Sequence, residues 1–166
     1  MKFLRNSQLL VVSMILLTLN SCSSDDDDMP IAEGTFKAVT INLTGLGIEL
    51  EDTSFSVEGY NFKAFRATSY TPDSSGILLA FAQDGQTSNI ELDLSSANGL
   101  SKITANVSDY GGSTKISLWN DGSLVEEIAV VGGARDTDVV IPVGEKTIDA
   151  LRFTSLEGDV KTIKLE

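Results

Sequence analysis

From Ile31 onward the chain is a series of short apolar-polar alternations cut by Gly, Asn, Asp and Ser. A residue repeat of two puts alternate side chains on opposite faces of a strand, so this pattern describes half-buried β-strands and not helices. No stretch after residue 30 keeps a helical period for three turns. Val39, Ile41 and Leu43 share one face, as do Tyr60, Phe62 and Ala64, then Ile90, Leu92 and Leu94, with Glu91 and Asp93 opposite. Ile103, Ala105 and Val107 repeat the theme, followed by Ile116 and Leu118, then Leu151 and Phe153. Ile77–Ala82 is a continuous apolar run of buried-strand length. Ile48–Glu51 reads as a short returning strand after Gly45 and Gly47, and Glu126-Glu127 blurs the register of Leu124–Val131. Asn120-Asp121-Gly122 marks a tight turn, and Pro142 suits a strand end. About ten short strands result, enough for one all-β domain, a single antiparallel β-sandwich over residues 31–166.

The segment before that domain is of another kind. Lys2 and Arg5 precede an apolar run, Leu9–Leu19, of 11 residues. A bilayer span needs about 20, so the run suits a secretory signal over residues 1–21. Leu19-Asn20-Ser21-Cys22 resembles the bacterial lipobox, with Asn20 unusual in the second slot. The resemblance implies that Cys22, the only cysteine, carries a diacylglyceryl group and becomes the first residue of the mature protein. Several acyl chains on one residue anchor firmly where a single chain does not. Ser24, Asp25, Asp26, Asp27 and Asp28 resemble the acidic export signal of some Gram-negative surface lipoproteins. Residues 22–30 then form a lipidated, acidic tether. What the two motifs together imply is an outer membrane lipoprotein displayed on the cell surface. A plain solvated spacer is the other reading of the aspartates.

Composition narrows the functions open to the domain. Losing residues 1–21 removes two bases and no acids, leaving 10 basic and 24 acidic residues and a net charge of −14. Nucleic acid and anionic membrane surfaces call for basic patches, so neither is an expected partner. There is no histidine, and the one thiol is committed to lipid. Histidine-based triads and the ordinary zinc and copper sites are thereby excluded. No cofactor is expected. Oxygen-only ion sites, such as a structural calcium, stay open, without a motif for one. The acids alternate with core positions or sit in turns, which is not the facing pair a glycosidase needs, and the chain is not expected to be an enzyme.

Three later stretches bear on the fold family: Gly99–Asp109, Ser113–Gly122 and Ile148–Gly158. They resemble galactose-binding-like jelly-roll domains, where one strand passes to the next over a Gly-rich turn and an "I-x-x-L-x-F-x-S" strand leads through an acid-Gly turn to the last. The likeness spans roughly residues 55–166. It implies a jelly roll, with an immunoglobulin-like sandwich as the rival, and a domain that binds carbohydrate. No family sugar-binding or calcium motif matches, so no site residue follows from it.

Site residues come instead from chemistry. Sugars are held by aromatic faces and planar polar groups. Successive loops of an antiparallel chain alternate between its two ends. One end is expected to gather Gln83, Asp84, Gln86, Asp109, Tyr110, Arg135, Asp136 and Glu157. The other gathers Tyr70, Trp119, Asn120 and Asp121. Tyr110, Asp109, Arg135 and Asp136 are the preferred ligand set, with Tyr110 exposed and free of a packing role. Trp119 follows Leu118 and so points out of the core, either to a ligand or onto a neighbouring strand. Phe65, opposite Phe62, is expected to lie under the N-terminal segment. Two functions remain: a surface module binding carbohydrate, or a structural or adhesive protein making protein-protein contacts.

Overall fold

The computed structural model describes residues 36–49, 53–67, 76–79 and 87–166. Cys22, Ser24, Asp25, Asp26, Asp27 and Asp28 lie outside the described residues, as do the signal segment, Tyr70, Gln83, Asp84 and Gln86.

Eleven strands form among the described residues: β1 (Val39–Asn42), β2 (Ser54–Val57), β3 (Tyr60–Phe65), β4 (Ile77–Leu79), β5 (Ser88–Asp93), β6 (Lys102–Asp109), β7 (Lys115–Asn120), β8 (Ser123–Ala129), β9 (Thr137–Pro142), β10 (Ala150–Ser155) and β11 (Gly158–Leu165). One sheet runs β1-β11-β6-β9, with β4 also paired to β11; the other runs β2-β3-β5-β10-β7-β8. Every pairing is antiparallel. Consecutive strands lie in opposite sheets except β2 and β3, and β7 and β8. The result is a jelly-roll sandwich. Sheets of five and six strands exceed the roughly seven to nine strands in all of an immunoglobulin-like domain.

The alternations place the core as expected. Ile90, Leu92, Leu151 and Phe153 are fully buried between the sheets, facing Ile103, Ala105, Val107 and Ile163. Phe55 stacks on Phe62 at 4.9 Å between ring centroids, extending the core to the β2 edge. Burying a large side chain contributes about 1.5–3 kcal/mol, and two dozen buried apolar residues make this the main term opposing the loss of chain entropy.

Three local expectations change. Ile48 and Glu49 are not in a strand, while Leu50 and Glu51 lie outside the described residues. Phe65 is 47% exposed rather than covered, because it falls on the outer face of β3, where the Arg66 guanidinium lies 5.9 Å from its ring centroid. The blurred register of β8 is a bulge: Leu118 pairs with Glu126 but Trp119 pairs with Leu124, leaving Val125 as the extra residue.

Candidate functional site

The loops 108–113, 132–136 and 155–158 do meet at one end. Asp109 N donates to Ala134 O at 2.9 Å, and Tyr110 N donates to Glu157 O at 2.9 Å. What they build there is internal. Asp109 is fully buried, its Oδ1 accepting from Ser113 N, Thr114 N and Thr114 Oγ1 at 3.1, 3.2 and 2.8 Å. Oδ2 is buried without a hydrogen-bond partner among the described residues, so the carboxylate presents nothing to a ligand at the surface. Tyr110 is half-buried, contrary to the exposed position expected of it. Its hydroxyl donates to Asp159 Oδ2 at 2.6 Å, and the Arg135 guanidinium covers its ring at 3.8 Å. Burial first, then the hydrogen bond to Asp159, raises the phenol above its ordinary pKa. Asp136 pairs with Lys161, whose hydrogen bond holds that carboxyl below the usual range. The ring and the fork that would serve a sugar are thus in contact with one another.

The outer face of the six-stranded sheet is arranged differently. Alternation sends Lys63 of β3, Glu91 and Asp93 of β5, Ala150 and Arg152 of β10, and Ser117 and Trp119 of β7 away from the core. Direct cross-strand pairing sets them in two parallel rows. Lys63, Glu91, Arg152, Ser117 and Glu127 form one. Asp93, Ala150, Trp119 and Leu124 form the other. Ala150 is the small residue between two larger neighbours, and the face sinks there. The resulting groove has a volume of about 420 Å³, its rim completed by Ser95, Gly122 and Asp149.

Local bonds fix each wall. Trp119 Nε1 donates to Ser117 Oγ at 2.8 Å, which sets the indole plane. Arg152 lies with its guanidinium 4.3 Å from the indole centroid, a stacked cation. Arg152 Nε donates to Glu91 Oε2 at 3.0 Å, with Nη2 on the same oxygen, and Lys63 Nζ stands 3.6 Å from Glu91 Oε1. Asp93 accepts from Ser95 N at 2.9 Å; hydrogen bonds from the Ser95 hydroxyl and N–H hold its carboxyl below the usual range. Asp149 Oδ2 accepts from Asp121 N at 2.8 Å. The groove therefore offers an aromatic ring of fixed orientation, carboxylate acceptors on two sides and cationic donors on a third. Among the described residues no group of three or more His, Cys, Asp or Glu is arranged to hold a metal ion.

None of the four preferred residues lines this groove; of the candidates, only Trp119 does. The sequence reading missed Glu91, Asp93, Asp149 and Arg152 as site residues, because each looked like solvated face or turn. What brings them together is register, which no single strand displays: Arg152 falls opposite Glu91 on one side and Ser117 on the other.

No family model matches the sequence, and no curated protein does. Among solved structures, the chain is similar to a carbohydrate-binding module of family 29 from Piromyces equi, at 12% identity over 78% of this chain and 92% of that one, with a TM-score of 0.46. A variant of a family 29 module matches at 15% identity over 78% and 89%, with a TM-score of 0.46. A low-affinity xylan-binding module, CBM86, from Roseburia intestinalis matches at 16% over 80% and 96%, with a TM-score of 0.37. These structural neighbours are carbohydrate-binding modules. Identity and TM-score are both low, and the functional reading rests on the residues of the groove.

Proposed function

We propose that this domain is a non-catalytic carbohydrate-binding module, held at the outer membrane and displayed on the cell surface by lipid on Cys22. The observation that carries the binding role is the groove itself: Trp119, locked by Ser117 and Arg152, stands over a floor lowered at Ala150 between ionised acceptors. Sugar C–H faces pack on aromatic rings, and sugar hydroxyls donate to carboxylates and accept from lysine and arginine. The carboxylates favour binding over bond cleavage. Asp93 is shifted down, opposite to what a general acid needs, and Glu91 is occupied by Arg152 and Lys63. Lipid anchorage rests on the lipobox-like run ending at Cys22, and surface display on Ser24 and Asp25–Asp28.

A protein-contact role is the second reading. It is favoured by the outer strands β8 and β9, where Leu124, Val125 and Val140 are exposed at 51%, 41% and 57%. Glycan array binding by the full-length protein, with loss on Trp119→Ala, decides for carbohydrate; an array without hits, together with a co-purifying partner lost on Val140→Glu, decides for protein. For the anchor, Cys22→Ala abolishes fatty-acid labelling. Replacing Asp25–Asp28 by alanine keeps labelling but protects the protein from protease added to intact cells.

A further inference from the structure

The two rows of the groove differ in charge balance. In the first, Glu91 lies between Lys63 and Arg152, so its charge is compensated on both sides. In the second, along the line of Trp119 and Ala150, the charged side chain is Asp93, and Asp149 stands on the adjoining rim. Ser95 keeps Asp93 ionised, and Asp121 N fixes Asp149. The stacked Arg152 is committed to Glu91 and the indole. A ligand lying on Trp119 therefore meets Asp93 and Asp149, both within reach of hydroxyl donors, while the groove's cations, Lys63 and Arg152, stand in the other row against Glu91. A hydroxyl can donate to a carboxylate; a second carboxylate or a sulfate brings no proton and adds repulsion. The domain's excess of acids acts in the same direction at longer range.

The rows also set a direction. From Lys63 on β3 to Trp119 on β7 the groove crosses three interstrand spacings, about 14 Å. That is the reach of a short oligosaccharide and not of one ring.

We propose, building on the carbohydrate reading above, that the groove takes an uncharged glycan chain laid across the strands, and that Asp93 and Asp149 turn away chains bearing uronate or sulfate. Trp119 is the chain's single tryptophan, so its emission reports on this groove alone. The test titrates the full-length protein, in a non-glycosidic detergent at low salt, with hexamers of glucose, mannose and xylose and with a hexamer of galacturonate. At least one neutral hexamer is expected to change Trp119 emission at a concentration about ten-fold or more below that needed for galacturonate. Added salt is expected to shrink that gap. Asp93→Asn combined with Asp149→Asn keeps the acceptors for Ser95 and Asp121 and is expected to bring the two classes within about three-fold. Preference for galacturonate in the unaltered protein overturns the selection and leaves carbohydrate binding standing. No response to any of the four hexamers overturns the selection together with the carbohydrate reading. Undiminished discrimination in the folded double variant overturns the role of the two acids.

Discussion

Two places in this domain are assembled from the same parts. At the loop end, Arg135 stacks on Tyr110, and a carboxylate, Asp159, takes the ring's polar atom. On the sheet face, Arg152 stacks on Trp119, and a carboxylate, Glu91, takes the arginine. The difference lies in which partner the carboxylate holds and where it sits. Asp159 is 1% exposed, so the tyrosine hydroxyl that reaches it is drawn inward and the ring becomes a cover. Glu91 lies on an open face, and Trp119 satisfies its own N–H locally on Ser117, two residues away. The indole thus needs nothing from the interior. Aromatic, fork and carboxylate are not in themselves a binding kit; what matters is whether the ring's polar atom is anchored in the interior or on the open face.

The largest expected effect separates fold from site at the loop end. Asp109→Ala strands Ser113 N and Thr114 N and leaves Thr114 Oγ1 with Ser155 Oγ alone, since all three share one buried acceptor. Leaving such donors unpaired costs about 3 kcal/mol, read as a lower denaturant midpoint at constant slope. Glycan affinity of the folded fraction stays the same. Next is Trp119→Ala, which is expected to lower glycan affinity by about 2 kcal/mol, as for a central aromatic contact. Stability falls by less than about 1 kcal/mol, since a half-exposed ring is lost and no core atom is. Tyr110→Phe reverses that pattern. It leaves buried Asp159 without its donor, costing about 1–2 kcal/mol of stability, and affinity does not move. Calorimetric titration beside thermal melts reads both quantities for each variant. A Tyr110→Phe protein that binds worse while Trp119→Ala binds normally would invert the comparison and return the site to the loop end.

That inversion is where sequence reading and structure part company. The sandwich was legible because burial follows a period of two: Ile90, Leu92 and Leu94 alternate with Glu91 and Asp93 whichever strand comes next. Loop grouping was legible too, since reversing strands send alternate loops to opposite ends, and Asp109 N does meet Ala134 O. What a single strand cannot display is its partner's register. Trp119 beside Ala150, and Ala150 beside Asp93, depend on β10 lying between β5 and β7, an order set by packing between residues distant in the chain. Likewise Tyr110 looked free because the residue that occupies it, Asp159, is 49 positions away. Exposure of a loop aromatic follows from the element behind it. Here that element is β11, whose burial depends on β6 and β4 on either side.

The smallest expected effect asks whether the exposed charges of the loop end hold it together. Asp136 and Lys161 pair at the surface, with the aspartate side chain 62% exposed. Their mutual hydrogen bond lowers the Asp136 pKa from 3.8 and raises the Lys161 pKa from 10.5. A depressed carboxyl contributes stability above its unfolded pKa and loses it as pH falls through the folded one. A raised amine contributes below 10.5 and loses it as pH rises through its folded value. The pair is therefore intact across the neutral range. The alkaline limb is shared with Tyr110, also raised, whereas the acid limb is shared with Asp93 and Glu166, both lowered. Asp136→Asn isolates the pair and keeps a residue that tolerates the positive φ of 44° at this position. At pH 7 it is expected to shift the unfolding midpoint least of all the variants, because solvent and salt screen an exposed pair. The difference from the unaltered protein should close as pH drops below 3.8 and the aspartate loses its charge. A difference that persists at acid pH assigns the role to the Ser108 hydroxyl, which also meets Asp136, in place of Lys161. A large difference at pH 7 makes the loop end a charge-held structure and weakens its contrast with the groove.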